Sequence, residues 1–251
     1  MTITAVTFDF WQTLYKNRPI DLDARLRQMQ ADLQRSSGQE ISLEAVKLAA
    51  RTARDTWSNT WAREHRTLSA GAWLDVMLAE LGVSLPPEAR QGIITRMEEN
   101  LLLEPPDVVP DVPAVLAELA QNYRLAVISD TGLSPGRVLR QILEQDELAQ
   151  YFTHLTFSDE LGRSKPHAQA FQATLAALDA PPQGAVHVGD LLRTDIAGAQ
   201  GVGMRGVQYV GVNRDDWSMS QSHPAPEPVT PDAVIHAHTE LPPLLARWNG
   251  V

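Results

Sequence analysis

The feature that most constrains this fold is an alternation of strand-like and helix-like segments, which runs from residue 112 to the C-terminus. Short, apolar, β-rich runs lie at residues 123–129, 154–158, 185–189, 205–212 and 233–236. Segments with helical spacing lie at residues 112–121, 135–144, 166–178, 194–200 and 241–248. Strands that alternate with helices predict the α/β class, in which helices wrap a parallel sheet. In such sheets, ligands bind at the carboxyl ends of the strands.

The first hundred residues have a different pattern. The apolar run TAVTFDF at residues 4–10 predicts a buried first strand with Asp9 near its carboxyl end. From about residue 19 to 103 every segment has helical spacing, and Ser42 and Ser69 are candidate N-caps. A proline-rich hinge, EPPDVVPDVP, follows. We therefore predict a core domain from residues 1–15 and 105–251 and a helical domain from residues 16–104.

Composition and the absence of certain sequence patterns argue against several classes of partner and site. The 251-residue chain has a formal net charge of −10, which disfavours binding to nucleic acid or to an anionic membrane. No apolar run approaches the roughly 18 residues that a membrane span needs. The N-terminus lacks the pattern of a signal peptide, and without cysteine there are no disulfides or thiolate metal sites. A cytoplasmic protein acting on a small molecule is expected; the oligomeric state is open.

Polar side chains with useful chemistry follow the predicted strands. They are Asp9, Ser129, Asp130, Lys165, Asp190 and Asp195. Three of these carboxylates, at positions 9, 190 and 195, could hold Mg²⁺, which prefers oxygen ligands and often completes its shell with substrate phosphate. The lysine could keep a nucleophilic carboxylate ionised, and the serine hydroxyl could donate to a phosphate oxygen. Any one of these residues alone is more often a turn or cap residue, but their joint placement is improbable by chance.

Four segments together resemble the motifs of the haloacid dehalogenase-like hydrolases. In chain order they are VTFDFWQTLY, LAVISDTG, GRSKPHAQAF and HVGDLLRTDIAGAQGVGM. The resemblance covers residues 1–15 and roughly 105–245, and the helical domain lies where this family places an α-helical cap. It implies a Rossmann-like α/β core and hydrolysis of phosphate esters through an aspartyl-phosphate intermediate.

The resemblance also implies a role for each matched residue. Asp9 is the nucleophile, Thr13 is a supporting hydroxyl, and Ser129 binds phosphate. Lys165 offsets negative charge. Mg²⁺ is held by Asp9, by the main-chain carbonyl of Trp11 and by Asp190. Asp195 either supports the metal shell or orients Lys165, and Asp130 supports the site.

The sequence departs from the phosphatases of this family at Trp11. Those enzymes usually have a second aspartate there, which protonates the leaving group, and an indole N–H cannot replace it. Three functions remain open. The protein could be a phosphatase whose leaving group departs easily or is protonated by another group. It could be a 2-haloacid dehalogenase-like enzyme without metal, or a catalytically impaired member that binds a ligand or partner.

Other residues carry weaker expectations. Trp57, Trp61 and Trp73 are expected in the apolar core of the helical domain, with a wall facing the substrate as the alternative. Arg63, His65 and Arg66 are expected at a solvated helix end. His236 and His238 are expected at the surface, and His187 at the edge of the core. Arg193 is expected to balance the charge of the neighbouring acids. The proline-rich run at 223–231 predicts an extended loop.

Overall fold

The computed structural model describes residues 2–212 and 228–250. A six-stranded sheet with the strand order β5-β4-β1-β6-β7-β8 forms its centre, and all neighbouring strands are parallel. These strands are β1 Ala5–Phe8, β4 Arg124–Ser129, β5 His154–Phe157, β6 Ala185–Gly189, β7 Arg205–Tyr209 and β8 Ala233–Ile235. The prediction of an α/β fold with a parallel sheet is therefore confirmed.

Strand β1 lies near the centre of the sheet, where it pairs with β4 on one side and β6 on the other, and both of its faces are buried. Val6 and Phe8 point into one apolar cluster and Ala5 into the other, as the period of two along a strand requires. In register, Phe8 lies beside Val127 of β4 and Val188 of β6. The carboxyl ends of three strands therefore meet at Asp9.

Helices cover both faces of this sheet. They are α5 Val112–Leu119, α6 Gly136–Gln145, α7 Ser158–Leu161, α8 Ala168–Ala177, α9 Ala197–Gly201 and α10 Leu241–Asn249. A π-helical turn, Leu192–Ile196, leads into α9, where the sequence predicted one helix over 194–200. In this turn the backbone N–H of Asp195 bonds to the carbonyl of Leu191.

Between β1 and the rest of the sheet, the chain forms four helices. They are α1 Leu22–Ser37, α2 Leu43–Glu64, α3 Ala70–Leu81 and α4 Pro87–Leu103. We call this set, α1–α4, the helical segment. The hydroxyls of Ser42 and Ser69 accept hydrogen bonds from the third following N–H groups, so both predicted N-caps are confirmed. The segment buries its own apolar cluster, which includes Leu33, Leu74 and Ile93.

Two short strands lie where the chain enters and leaves the helical segment. Strand β2, Tyr15–Lys16, pairs antiparallel with β3, Asp107–Val108. The sequence predicted only a hinge at 104–113, because a strand of two residues is too short for a periodic pattern. Residues 17–106, all of them described, contain no strand, as predicted.

Several smaller predictions have separate outcomes. His238 is buried rather than exposed, because its ring packs against the rings of Phe8 and Tyr209, whereas His236 is exposed as expected. Within the described residues, no helix is both long and apolar enough to cross a bilayer. Most of the predicted loop at 223–231 lies outside the described residues.

Candidate active site

Lys165 is the centre of the polar cluster at the carboxyl ends of the strands. Its Nζ lies 2.6 Å from Oδ1 of Asp9, 2.7 Å from Oδ1 of Asp195 and 2.9 Å from the carbonyl oxygen of Ile128. An ammonium group has three protons, so these three acceptors match its donors. The lysine side chain is 3% exposed, which makes this a buried ion-pair network rather than a surface contact. Asp9, Lys165 and Asp195 are thus brought together as the sequence predicted.

Burial and neighbouring charges set the ionisation of this network. Burial opposes the charge on Lys165, but the carboxylates of Asp195, Asp9 and Asp130 outweigh it and raise the pKa of the lysine. Burial also opposes ionisation of Asp195, yet Lys165 and His187 bring the pKa of this carboxyl well below its usual range. For Asp9, burial raises the pKa, with Lys165 opposing and Asp195 and Asp190 adding to the rise. A further cation beside Asp9 would therefore favour its ionised form.

A second layer of side chains holds Asp195 in place. Its Oδ1 lies 3.2 Å from Nε2 of His187, and Nδ1 of that histidine lies 2.8 Å from the hydroxyl of Thr7. Its Oδ2 accepts the N–H of Leu191 at 2.9 Å. His187 is fully buried in the sheet rather than at the edge of the core, and burial lowers its pKa. Both oxygens of Asp195 are therefore engaged.

Gly189 makes room for this carboxylate. A Cβ atom at position 189 would lie 2.4 Å from Cγ of Asp195, a distance that no side chain tolerates. A glycine is therefore required at the end of β6, because the side chain of Asp195 lies too close for any other residue.

Three buried carboxylates could bind a metal ion. One oxygen from each of Asp9, Asp190 and Asp195 lies within 4.8 Å of the others. A set of carboxylate oxygens suits Mg²⁺, which prefers hard oxygen ligands. Because Oδ1 of Asp195 lies beside Lys165 and His187 and its Oδ2 accepts a backbone N–H, Asp195 fits the alternative of orienting Lys165.

The remaining predicted site residues lie around this cluster. Ser129 ends β4, next to β1 in the sheet, and its hydroxyl donates to the carbonyl of Asp130 at 3.2 Å. The hydroxyl of Thr13 is buried and has no hydrogen-bond partner among the described residues. Trp11 is half-buried, and its ring meets that of Phe10 edge-on at 4.9 Å. Ser129, Thr13 and Trp11 are not among the hydrogen-bond or ion-pair partners of Lys165.

Asp130 connects the strand ends to the helical segment. Its Oδ1 accepts the N–H of Lys165 at 2.8 Å, and its Oδ2 accepts the indole N–H of Trp61, in α2, at 2.8 Å. Burial raises the pKa of Asp130. Trp61 was expected in the core of the helical segment, but it lies outside that apolar cluster and packs against the α/β core instead. Trp73, by contrast, packs on the helical cluster as predicted.

The residues that follow α2 make a further contact between the two regions. The carbonyl of His65 accepts the N–H of Ser164 at 2.8 Å, and the hydroxyl of Thr67 lies 2.7 Å from that of Ser158. Arg66 pairs with Glu64 at an exposed helix end, as expected. His65 is different, because its Nδ1 is buried. The pair of aromatics four residues apart, Trp57 and Trp61, was the available sequence signal for this contact.

Comparisons with known proteins agree with the architecture and the motifs. A family model described as haloacid dehalogenase-like hydrolase matches residues 3–203. The crystal structure of a 2-haloacid dehalogenase from Pseudomonas syringae pv. tomato DC3000 is 27% identical, with a TM-score of 0.63, and the match covers 98% of this chain and 100% of that one. A HAD phosphatase from Thermococcus onnurineus shares the fold at 21% identity and a TM-score of 0.62, covering 97% and 98% of the two chains.

Curated relatives with assigned activities include phosphatases. Glyceraldehyde 3-phosphate phosphatase from Pyrococcus furiosus is 36% identical over 146 residues, which are 57% of this chain and 56% of that protein. The chain thus spans about half the length of this relative. Ribulose-1,5-bisphosphate 5-phosphatase from Halopiger xanaduensis is 29% identical over 226 residues, 89% of this chain and 92% of that protein. Because the family model matches most of the chain, including all four motifs apart from the last residue of the fourth, this protein belongs to the haloacid dehalogenase-like hydrolases.

Proposed function

We propose that this protein is a Mg²⁺-dependent phosphatase that hydrolyses a small phosphorylated metabolite through an aspartyl-phosphate intermediate. The observation that carries the proposal is the buried pair of Asp9 and Lys165, whose side-chain atoms lie 2.6 Å apart beside two further carboxylates. The phosphatase names of the curated relatives support the same class of substrate.

In this proposal each side chain has one task. An oxygen of Asp9 attacks phosphorus, so an O–P bond forms while the bond to the leaving oxygen breaks. Water then cleaves the acyl phosphate and restores Asp9. The Lys165 ammonium offsets the negative charge that gathers at the nucleophile, and Ser129 donates to a phosphate oxygen. Asp195 is a positioning residue, since it holds Lys165.

Asp9, the carbonyl of Trp11 and Asp190 would hold Mg²⁺. When bound, the ion neutralises phosphate oxygens and keeps Asp9 ionised against the effect of its burial. The helical segment, together with the short flanks that extend it to residues 16–104, would serve as a cap that covers the site and selects the substrate.

Trp11 restricts the substrates that this site can turn over. General acid catalysis typically contributes roughly 10²–10⁴-fold, and an indole cannot supply it. Leaving groups that need no proton, such as acyl phosphates and aryl phosphates, should therefore react faster than alkyl phosphates.

The test is a substrate panel with and without Mg²⁺. Acetyl phosphate and p-nitrophenyl phosphate should be hydrolysed faster than a simple sugar phosphate, and chelation should stop turnover. Asp9→Asn should abolish activity, whereas Asp179→Asn, at a fully exposed position, should not change it. A purified protein that hydrolyses no phosphate on a broad panel would refute the proposal.

A second candidate function is dehalogenation of 2-haloacids. It is favoured by the similarity to the P. syringae dehalogenase and by Trp11, which leaves the site without an acid that a departing halide does not need. In that reaction Asp9 would displace halide, which needs no proton. Halide release from 2-chloropropionate without metal would favour this function over phosphatase activity. If neither activity is found, and beryllofluoride fails to bind near Asp9, a binding function remains.

A further inference from the structure

Arg193 lies between the carboxylate cluster and the helical segment. It belongs to the π-helical turn that also carries Asp195, and its guanidinium lies against the ring of Trp61, with Cζ 3.9 Å from the ring centroid. The indole is itself fixed by its hydrogen bond to Asp130 and by stacking on Trp57, at 5.7 Å and an interplanar angle of 15°. The arginine is therefore placed by a rigid aromatic surface.

The ring of Trp61 contacts the face of the guanidinium, so the nitrogen atoms at the edge of the group are left to form hydrogen bonds. Nε and Nη2 of Arg193 are buried, and no group in the described part of the chain accepts a hydrogen bond from them. These two nitrogens form one side of the guanidinium, and their parallel N–H bonds match the two oxygens of a carboxylate or phosphate.

Neighbouring acids do not fill this position. The oxygens of Asp130 accept from the N–H of Lys165 and from Trp61. Those of Asp195 accept from Lys165 and from the N–H of Leu191. The charges of Asp130 and Asp195 oppose the lowering of the Arg193 pKa by burial, but neither carboxylate accepts a hydrogen bond from its Nε or Nη2.

Other basic groups lie on the same side of the site. The carbonyl of His65 accepts the N–H of Ser164, the residue before Lys165, so His65 lies beside the site. Burial lowers the pKa of His65, and the charges of His167, Arg193 and Arg163 lower it further. Nδ1 of His65 is also buried without a hydrogen-bond partner among the described residues. Nitrogen atoms of both Arg193 and His65 are therefore buried without partners in the described part of a chain whose net charge is −10.

We infer that the edge of Arg193, with His65 beside it, binds a second anionic group of the substrate, a carboxylate or a second phosphate. This inference rests on the proposed function, and it narrows the substrate class to metabolites that carry an anion in addition to the phosphate that reacts. Bidentate binding of a planar anion gives such a site both affinity and orientation.

The test measures binding, so that it does not depend on turnover. The Asp9→Asn protein, with Mg²⁺, is titrated calorimetrically with 3-phosphoglycerate and with glycerol 3-phosphate, which differ by a carboxylate in place of a hydroxymethyl group. Ribulose 1,5-bisphosphate and ribulose 5-phosphate form the matching pair for a second phosphate. We expect one of the doubly anionic ligands to bind at least tenfold more tightly than its partner, and the pair that shows the preference identifies the anion.

Adding Arg193→Met to Asp9→Asn should reduce that preference to less than threefold, and Arg193→Lys, which keeps the charge without the paired N–H groups, should give an intermediate value. Arg205→Met is the matched control, because Arg205 also stacks on a tryptophan, Trp248 at 4.5 Å, but lies at the opposite end of the sheet. Asp9→Asn with Arg205→Met should show the same preference for the doubly anionic ligand as Asp9→Asn alone.

Equal affinity within both pairs, or a preference that survives Arg193→Met, would overturn the inference. Hydrolysis of acetyl phosphate by the unmodified protein is measured in parallel. If this hydrolysis is absent while the binding preference depends on Arg193, the proposed phosphatase function fails and the anion site stands.

Discussion

The α/β core and the helical segment bury ionised groups in opposite ways. In the core, Asp9, Lys165 and Asp195 form a connected network in which each side chain is at most 8% exposed. In the helical segment, the buried carboxylate of Asp32 pairs with Arg96 at 2.9 Å, and that arginine is 47% exposed. One region thus encloses its charges, while the other keeps them at the boundary with solvent.

This difference indicates that the two regions contribute to function in different ways. A network enclosed by strand ends has fixed geometry and low dielectric, which strengthens electrostatic effects on a reacting group. The helical segment has its own apolar cluster and meets the site through few side chains, chiefly Trp61 and the stretch from His65 to Thr67. We therefore expect changes in the core to alter the chemistry on every substrate, and changes in the helices to alter stability or substrate choice.

Among changes outside the nucleophile, the largest effect should come from Asp195→Asn. The amide cannot balance the charge of Lys165 or accept from two directions as a carboxylate does, so the ammonium loses its orientation toward Asp9. Loss of one preorganised donor typically lowers kcat by roughly 10²–10³-fold. Steady-state kinetics on acetyl phosphate should show this fall on kcat, together with an altered pH profile.

Asp32→Asn is the matched control in the helical segment. It also removes one charge from a buried carboxylate that pairs with arginine, so the free energy of unfolding should fall while kcat stays within twofold. If Asp32→Asn lowers kcat as strongly as Asp195→Asn, the separation of tasks between the two regions is wrong.

The next effect concerns His238, a buried ionisable group in the core away from the carboxylate cluster. Burial lowers the pKa of His238 to about 4, although Asp111 opposes the shift. Because the unfolded chain has the ordinary histidine pKa of about 6.5, it takes up a proton that the folded protein excludes, and stability falls as the pH drops through this window. From pH 7.5 to 5.0 this group should remove about 2 kcal/mol from the free energy of unfolding.

Urea unfolding at these two pH values measures that loss. His238→Phe should make the stability less dependent on pH by about the same amount, since a phenyl ring can pack between Phe8 and Tyr209. His236→Phe, at an exposed neighbouring position, should keep the dependence of the parent. An unchanged pH dependence in His238→Phe would show that other groups of the core cause it.

The sequence predicted the parts of the molecule that depend on periodicity and on strand ends. Strand β6 was predicted with its observed bounds, and Asp9, Lys165 and Asp195 meet because parallel strands end at one edge. Contacts that join distant segments were not predictable in this way. The burial of His238 depends on Phe8 and Tyr209, which are far from it in the chain.

The same limit applies to the contact between the two regions. The spacing of Trp57 and Trp61 indicates one helix face, but no local pattern states whether that face packs on other helices or on the core. Only the position of α2 relative to Asp130 decides it. The short pairing of β2 with β3 was missed for a related reason, since each strand is defined by its partner.

The smallest expected effect tests this contact. Trp61→Phe keeps an aromatic ring for Trp57 and Arg193 but removes the indole N–H that bonds to Asp130. A single hydrogen bond of this kind contributes about 1 kcal/mol, so KM should rise about fivefold because closure of the helical segment over the substrate is weakened. Trp57→Phe, which keeps that hydrogen bond, should leave KM unchanged. If Trp61→Phe instead lowers kcat at constant KM, Trp61 acts on the carboxylate cluster through Asp130, and the helical segment takes part in the chemistry that we assign to the core.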